Sequence, residues 1–150
     1  MWQLAVAHTG DEALGLKAIR HITPSHFHFV GMSVLASRTL EEAFERLTRL
    51  ADLVTDASQM TIERLGELFE VRIELREGAQ PAHQSTDGLM ALLANSGKGL
   101  GAPHLKPVEV HLLRPTPGDP SLIWFDRTFD TQVRYNMPCM KLIYRTADVQ

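Results

Sequence analysis

The sequence predicts a single α+β domain, an antiparallel sheet packed with several helices. Three observations predict it. A capped amphipathic helix begins at Thr39. Two alternating segments, 60–65 and 68–76, are joined by a tight "GE" turn. The 150 residues are 44% hydrophobic and 22% charged, a globular balance that can build one sizeable core without disulfides.

The elements follow in chain order. "GDEALGLKAIRHI" reads as a helix beginning near Asp11. "HFHFVGMSVL" then opens with two histidines one residue apart and passes Gly31 into an apolar run. Thr39 and Glu42 form a capping box, in which each side chain satisfies the other residue's amide. Leu40, Ala43, Phe44, Leu47, Leu50, Ala51 and Val54 follow at helical spacing to about Thr55. Glu42 with Arg46, and Glu45 with Arg49, are i,i+4 pairs on the wet side.

Next, Phe69, Val71, Ile73 and Leu75 alternate with Glu70, Arg72, Glu74 and Arg76, so one face is buried and the other wet. The pair reads as an antiparallel hairpin. "EGAQPAH" is a loop, and residues 86–94 form a short helix with a wide apolar face. "NSGKGLGAPHLKP" is rich in breakers and reads as an exposed connection. Residues 106–113 read as a strand and "RPTPGDP" as a turn. Residues 121–129 read as a helix, and 132–135 and 140–145 as two final short strands.

Composition and motifs exclude several classes. A net charge of −3 disfavours a nucleic-acid surface in this segment. No apolar run reaches the length of a membrane span, and the N-terminus is a poor signal peptide. The expectation is a cytoplasmic domain with no membrane partner. The lone Cys139 allows no internal disulfide or thiolate zinc site and reads as a small filler. His26 and His28 would share a face if their segment were extended, a geometry that metals use. No third ligand is implied by the spacing, so neither a metal nor a cofactor is expected. "NSGKGLG" lacks the full phosphate-loop pattern. Asp119 and Asp126 read as turn and helix-start residues rather than paired catalytic carboxylates. No nucleophile elbow, dinucleotide fingerprint or metalloprotease helix is present. These absences argue against an enzyme.

A larger pattern runs through these parts. Gly10, Asp11, Ala13, Leu14, Gly15 and Leu16 come first. Gly31 follows, then Ser37, Thr39, Leu40, Glu42 and Ala43, then Thr55 and Asp56. This order resembles the N-terminal effector-binding, arabinose-binding-like domain of AraC-type transcription regulators. His111, Pro115, Phe125, Phe129, Val133 and Leu142 fit the later, more diffuse part, which in the family ends in a pair of strands. Met32 stands where the family often has Tyr.

The resemblance implies an effector-binding and dimerisation domain over residues 1–150, a fragment of a longer regulator. It implies a small-molecule effector and a homodimer. DNA contact would come only through a C-terminal helix-turn-helix domain absent from this chain. The effector pocket is expected between sheet and helices, with His28, Met32, Arg72, His111, Trp124, Arg134 and Tyr144 as candidate ligand-binding residues. An amino acid, an organic acid and an aromatic compound all suit that set. A stand-alone small-molecule enzyme domain and a ligand-free dimerisation module are the alternatives. In either case the two histidines belong to a packing unit or a pocket wall rather than to a metal site.

Overall fold

The computed structural model describes residues 1–22, 26 and 28–150, with the side chains at 28 and 29 outside the described set. The chain opens with an exposed helix, α1 (Trp2–Thr9). The helix expected near Asp11 starts three residues later, as α2 (Leu14–Ala18), and runs into a 3-10 turn at Ile19–His21. Asp11 explains the delay. Its carboxylate accepts from the Ala13 amide at 2.9 Å, so residues 11–13 form the capping turn and not the first helical turn.

Residue 28 opens α3 (His28–Leu35). The shared-face reading of His26 and His28 rests on a segment that includes residue 27, which lies outside the described residues. The side chain of His28 lies outside the described residues.

The capped helix is α4 (Leu40–Val54), with Thr39 Oγ1 accepting from the Glu42 amide at 3.1 Å. The reciprocal half of the capping box moves back one residue. Glu42 accepts from the Arg38 amide at 2.9 Å, and its other oxygen takes Arg46 at 2.6 Å. Glu45 does not pair with Arg49. It accepts from Arg64 at 2.7 Å, as Glu41 does at 2.5 Å, which ties the wet flank of α4 to the first strand. Leu40, Ala43 and Phe44 are buried, while the stripe fades toward Val54, which is exposed.

The expected hairpin is present as β1 (Ser58–Leu65) and β2 (Leu68–Leu75), antiparallel, with Leu65 opposite Leu68. The next helix, α5 (His83–Ala94), starts three residues before the apolar pattern suggests. Its first turns bury the polar residues Gln84 and Asp87, which hides the start from a hydrophobicity count. The connection after it is not simply exposed. It contains α6 (Ser96–Gly99) and a buried Gly97, where an added Cβ would stand 2.7 Å and 2.8 Å from two backbone carbonyls.

The strand expected over 106–113 shortens to β3 (Glu109–His111), because Pro107 removes a donor just ahead of it. The following helix, α7 (Asp119–Phe129), takes Pro120 into its first turn. Then come β4 (Gln132–Arg134), β5 (Met140–Arg145) and a terminal turn of helix, α8 (Thr146–Val149).

Among the described residues the five strands form one sheet in the order β1-β2-β5-β3-β4. It is antiparallel except for β3 and β4, which pair parallel. Thus the last two strands are not a hairpin, and β3 lies between them. A parallel pair needs a crossover, and α7 supplies it.

Register sorts the side chains by face. Phe69, Val71 and Ile73 of β2 stand beside Tyr144, Leu142 and Met140 of β5, and all are buried. Phe44, Met90, Phe125 and Phe129 of the helices join them in one core. The opposite face carries Glu70, Arg72, Lys141, Glu109, His111 and Arg134.

The α2 and α5 helices pack backbone to backbone. A Cβ on Gly15 would fall 2.1 Å from the Gln84 carbonyl oxygen, so only glycine fits there. Glu12 and Asp87 then reach Arg114, at 3.0 Å and 2.8 Å, and the second oxygen of Glu12 accepts from the Gly118 amide at 2.8 Å. The N-terminal glycine-acid segment is therefore a structural clamp. It joins α2, α5 and the loop between β3 and α7. None of the helices among the described residues is long and apolar enough to cross a membrane.

Candidate functional site

One concavity follows from this layering. Where α3 and α4 diverge from α2 and α5 there is an open cleft of about 600 Å³. Val30, Gly31, Val34 and Leu35 of α3 and Leu47, Ala51 and Val54 of α4 line one side. Met60 and Ile73 come from the hairpin, and Leu16, Ile19, Leu89, Leu92 and Leu93 from the α2–α5 side. The volume suits a small organic molecule.

Polar groups enter chiefly from one quarter: Arg20, Asn95, Ser96, Lys98, Arg127 and Thr128. Asn95 ties this end together. Its Nδ2 donates to the Ala91 carbonyl at 2.8 Å and to the Thr128 carbonyl at 3.4 Å, joining the end of α5 to the end of α7. On the other side Arg46 of α4 donates to the Ser33 carbonyl of α3 at 3.1 Å. Among the described residues no group of three or more His, Cys, Asp or Glu could hold a metal ion.

Of the residues singled out from the sequence, Met32, Arg72, His111, Trp124, Arg134 and Tyr144 are not among those lining this cleft. Arg72 and His111 are brought together, with Cys139 and Lys141, around a second hollow. His111 is engaged by Glu109 at 2.5 Å, and the same carboxylate oxygen accepts from Arg134 at 2.6 Å. The His111 contact and Arg134 together hold Glu109 below its ordinary pKa. Trp124 is flanked by two cations, Lys17 Nζ and the Arg20 guanidinium, each 4.6 Å from its ring centroid. Tyr144 is in the core with its ring 5.6 Å from that of Phe44. Its hydroxyl is buried without a hydrogen-bond partner among the described residues, and burial raises its pKa. Met32 is 58% exposed. Of the family's glycine-led run, Gly31 does line the cleft.

Sequence reasoning did not find Arg20, Lys98, Arg127 or the apolar face of α3. The available signal was the run "FVGMSVL", too apolar for a solvated loop and leading straight into a capped helix.

Comparison with known proteins adds three findings. Residues 1–150 match the family described as the arabinose-binding domain, N-terminal, of AraC transcription regulators. Among solved structures, the chain is similar to the transcriptional regulator CdpR from Pseudomonas aeruginosa, with a TM-score of 0.72 and 16% sequence identity. The alignment covers 99% of this chain and 48% of CdpR, so the chain spans about half the length of that regulator. No curated protein matches.

Proposed function

The chain belongs to the family of N-terminal arabinose-binding domains of AraC transcription regulators, and we propose that it senses a small-molecule effector held in the cleft between α3–α4 and α2–α5. The observation that carries this reading is the cleft itself: a mostly apolar concavity, of ligand size, bounded by separate helical layers. A molecule lodged there touches both layers at once. It favours whichever spacing of the layers it fits best, and shifts the population by its differential affinity for that arrangement. Such a shift is what a sensing domain needs to pass to a DNA-binding region. DNA contact and dimerisation are assigned by this reading to the full-length regulator. The family is regulatory, which points away from catalysis.

The test is a thermal-shift screen of the chain against a metabolite panel, repeated with Ala51→Trp, which fills the cleft. A ligand at a hundred times its Kd adds about 2.7 kcal/mol to the folded state, a readily measured rise in Tm. The expected result is a hit whose effect disappears in Ala51→Trp. A hit that survives in that variant places the effector elsewhere. A chain that serves only as a dimerisation module responds to nothing in the panel.

A further inference from the structure

We propose that the ligand class is an amphipathic carboxylic acid, with its hydrocarbon body in the cleft and its carboxylate at the Arg20–Lys98–Arg127 end. This rests on the reading of the cleft as the effector site.

Charge carries the argument first. The chain has 18 acidic and 15 basic residues, yet the cleft lining holds three cations, Arg20, Lys98 and Arg127, and no Asp or Glu. Nine of the other twelve cations have a carboxylate partner among the described residues, Arg38, Arg49 and Arg145 being the exceptions. Arg46, Arg64, Arg76 and Lys106 each sit within 2.7 Å of a carboxylate. Among the described residues Arg20, Lys98 and Arg127 have none.

The three also converge. Arg20 stacks on Trp124 of α7, and Arg127 is three residues further along that helix, on a neighbouring turn. Thr128 takes the Asn95 amide, and Lys98 follows Asn95 by three residues in the next short helix. All three cations therefore border one end of the cleft. Stacking on Trp124 also limits where the Arg20 fork can point, so less entropy is lost when it binds an anion.

The remaining lining decides what the anion is attached to. Among the described side chains, the walls from α3, α4 and the hairpin are apolar apart from Thr55 and Ser58. A sugar carries a hydroxyl on nearly every carbon and would leave most of them unpaired against these walls, which is unfavourable. A dinucleotide or other polyanion would leave the apolar walls wet. A hydrocarbon body with a single terminal carboxylate satisfies both halves of the site. The lining therefore departs from the sugar in the family's description.

The experiment compares acids with their own alcohols. Isothermal titration of the chain with decanoate and 4-phenylbutanoate is set against decan-1-ol, 4-phenylbutan-1-ol and arabinose. At least one acid is expected to bind about tenfold or more tightly than its alcohol, the worth of one charge-assisted contact, and more tightly than arabinose. In the Arg20→Gln/Arg127→Gln variant the acid should fall to the level of its alcohol while the alcohol is unchanged, which also shows that the variant is folded. Alcohols that bind as well as their acids, or arabinose binding best, overturn the carboxylate assignment and leave the cleft reading standing, provided that Ala51→Trp blocks them. Failure of every probe, together with no response to the metabolite panel, overturns the cleft reading itself.

Discussion

Asp87 and Arg114 form an ion pair at 2.8 Å whose side chains are 1% and 3% exposed. The pair joins α5 to the loop after β3, and Glu12 completes it from the N-terminal segment at 3.0 Å. Removing one member strands the other in the core. Arg114→Leu is expected to destabilise the domain by about 3–5 kcal/mol, whereas Asp87→Leu/Arg114→Leu should recover most of that loss. Urea titrations of the three proteins check this. A double variant no better than the single would mean that the glycine-acid segment depends on Arg114 for its path rather than for charge balance.

The same pair predicts a pH dependence of unusual sign. Burial pushes the Asp87 carboxyl up to about 6, against the pull of Arg114, and the Glu12 charge adds to the rise. In the unfolded chain the group returns to its ordinary value of 3.8. Between these values the folded state holds a proton that the unfolded state does not. This group's contribution therefore becomes more favourable as pH falls through 6, and levels off below about 4. Asp87→Asn cannot gain in this way. The stability advantage of the native sequence over Asp87→Asn should grow between pH 7 and pH 4.5, measured by urea unfolding at each pH. An advantage that shrinks over this range would mean that Arg114 keeps Asp87 ionised.

Gly15 offers a test of the helix contact. An added Cβ meets the Gln84 carbonyl at 2.1 Å, and backbone cannot swing aside as a side chain can. Gly15→Ala is expected to cost about 1–3 kcal/mol or more through forced separation of α2 and α5. Gly99→Ala is the control, because its Cβ meets only a Leu35 methyl at an ordinary 3.7 Å. It should be neutral or stabilising by up to about 1 kcal/mol. Equal effects at the two glycines, read from thermal unfolding, would show that α2 can move away freely.

Local signals made part of this legible. The cap at Thr39, the stripe of α4 and the alternation of β2 are written within a few turns of chain, and the structure keeps them. The α3 helix was not readable as a helix, because an apolar run without polar residues carries no phase. The start of α5 was masked by Gln84, which packs against Gly15, and by Asp87, which pairs with Arg114 far along the chain. The parallel place of β4 depends on where α7 crosses, which no hairpin signal reports. The cleft was illegible for the same reason. Arg20, Lys98 and Arg127 belong to three separate segments that meet only when Arg20 stacks on Trp124 and Asn95 reaches Thr128.

The stripe of α4 divides between core and cleft, and two neighbouring residues should separate the roles. Phe44 is fully buried, with its ring 6.3 Å from Phe69 and 5.6 Å from Tyr144. Phe44→Ala should cost about 3–5 kcal/mol, as removal of a packed aromatic ring does. Leu47, one turn on, is only partly buried and lines the cleft. Sequence periodicity treats the two alike, but Leu47→Ala should cost only about 1–2 kcal/mol, because much of its surface already meets solvent. Its larger effect should fall on ligand response, since shortening it widens the cleft and removes an apolar contact. Thermal unfolding with and without a bound acid measures both quantities. If Leu47→Ala destabilises as much as Phe44→Ala and leaves the ligand shift intact, Leu47 belongs to the core, and the cleft narrows toward α3.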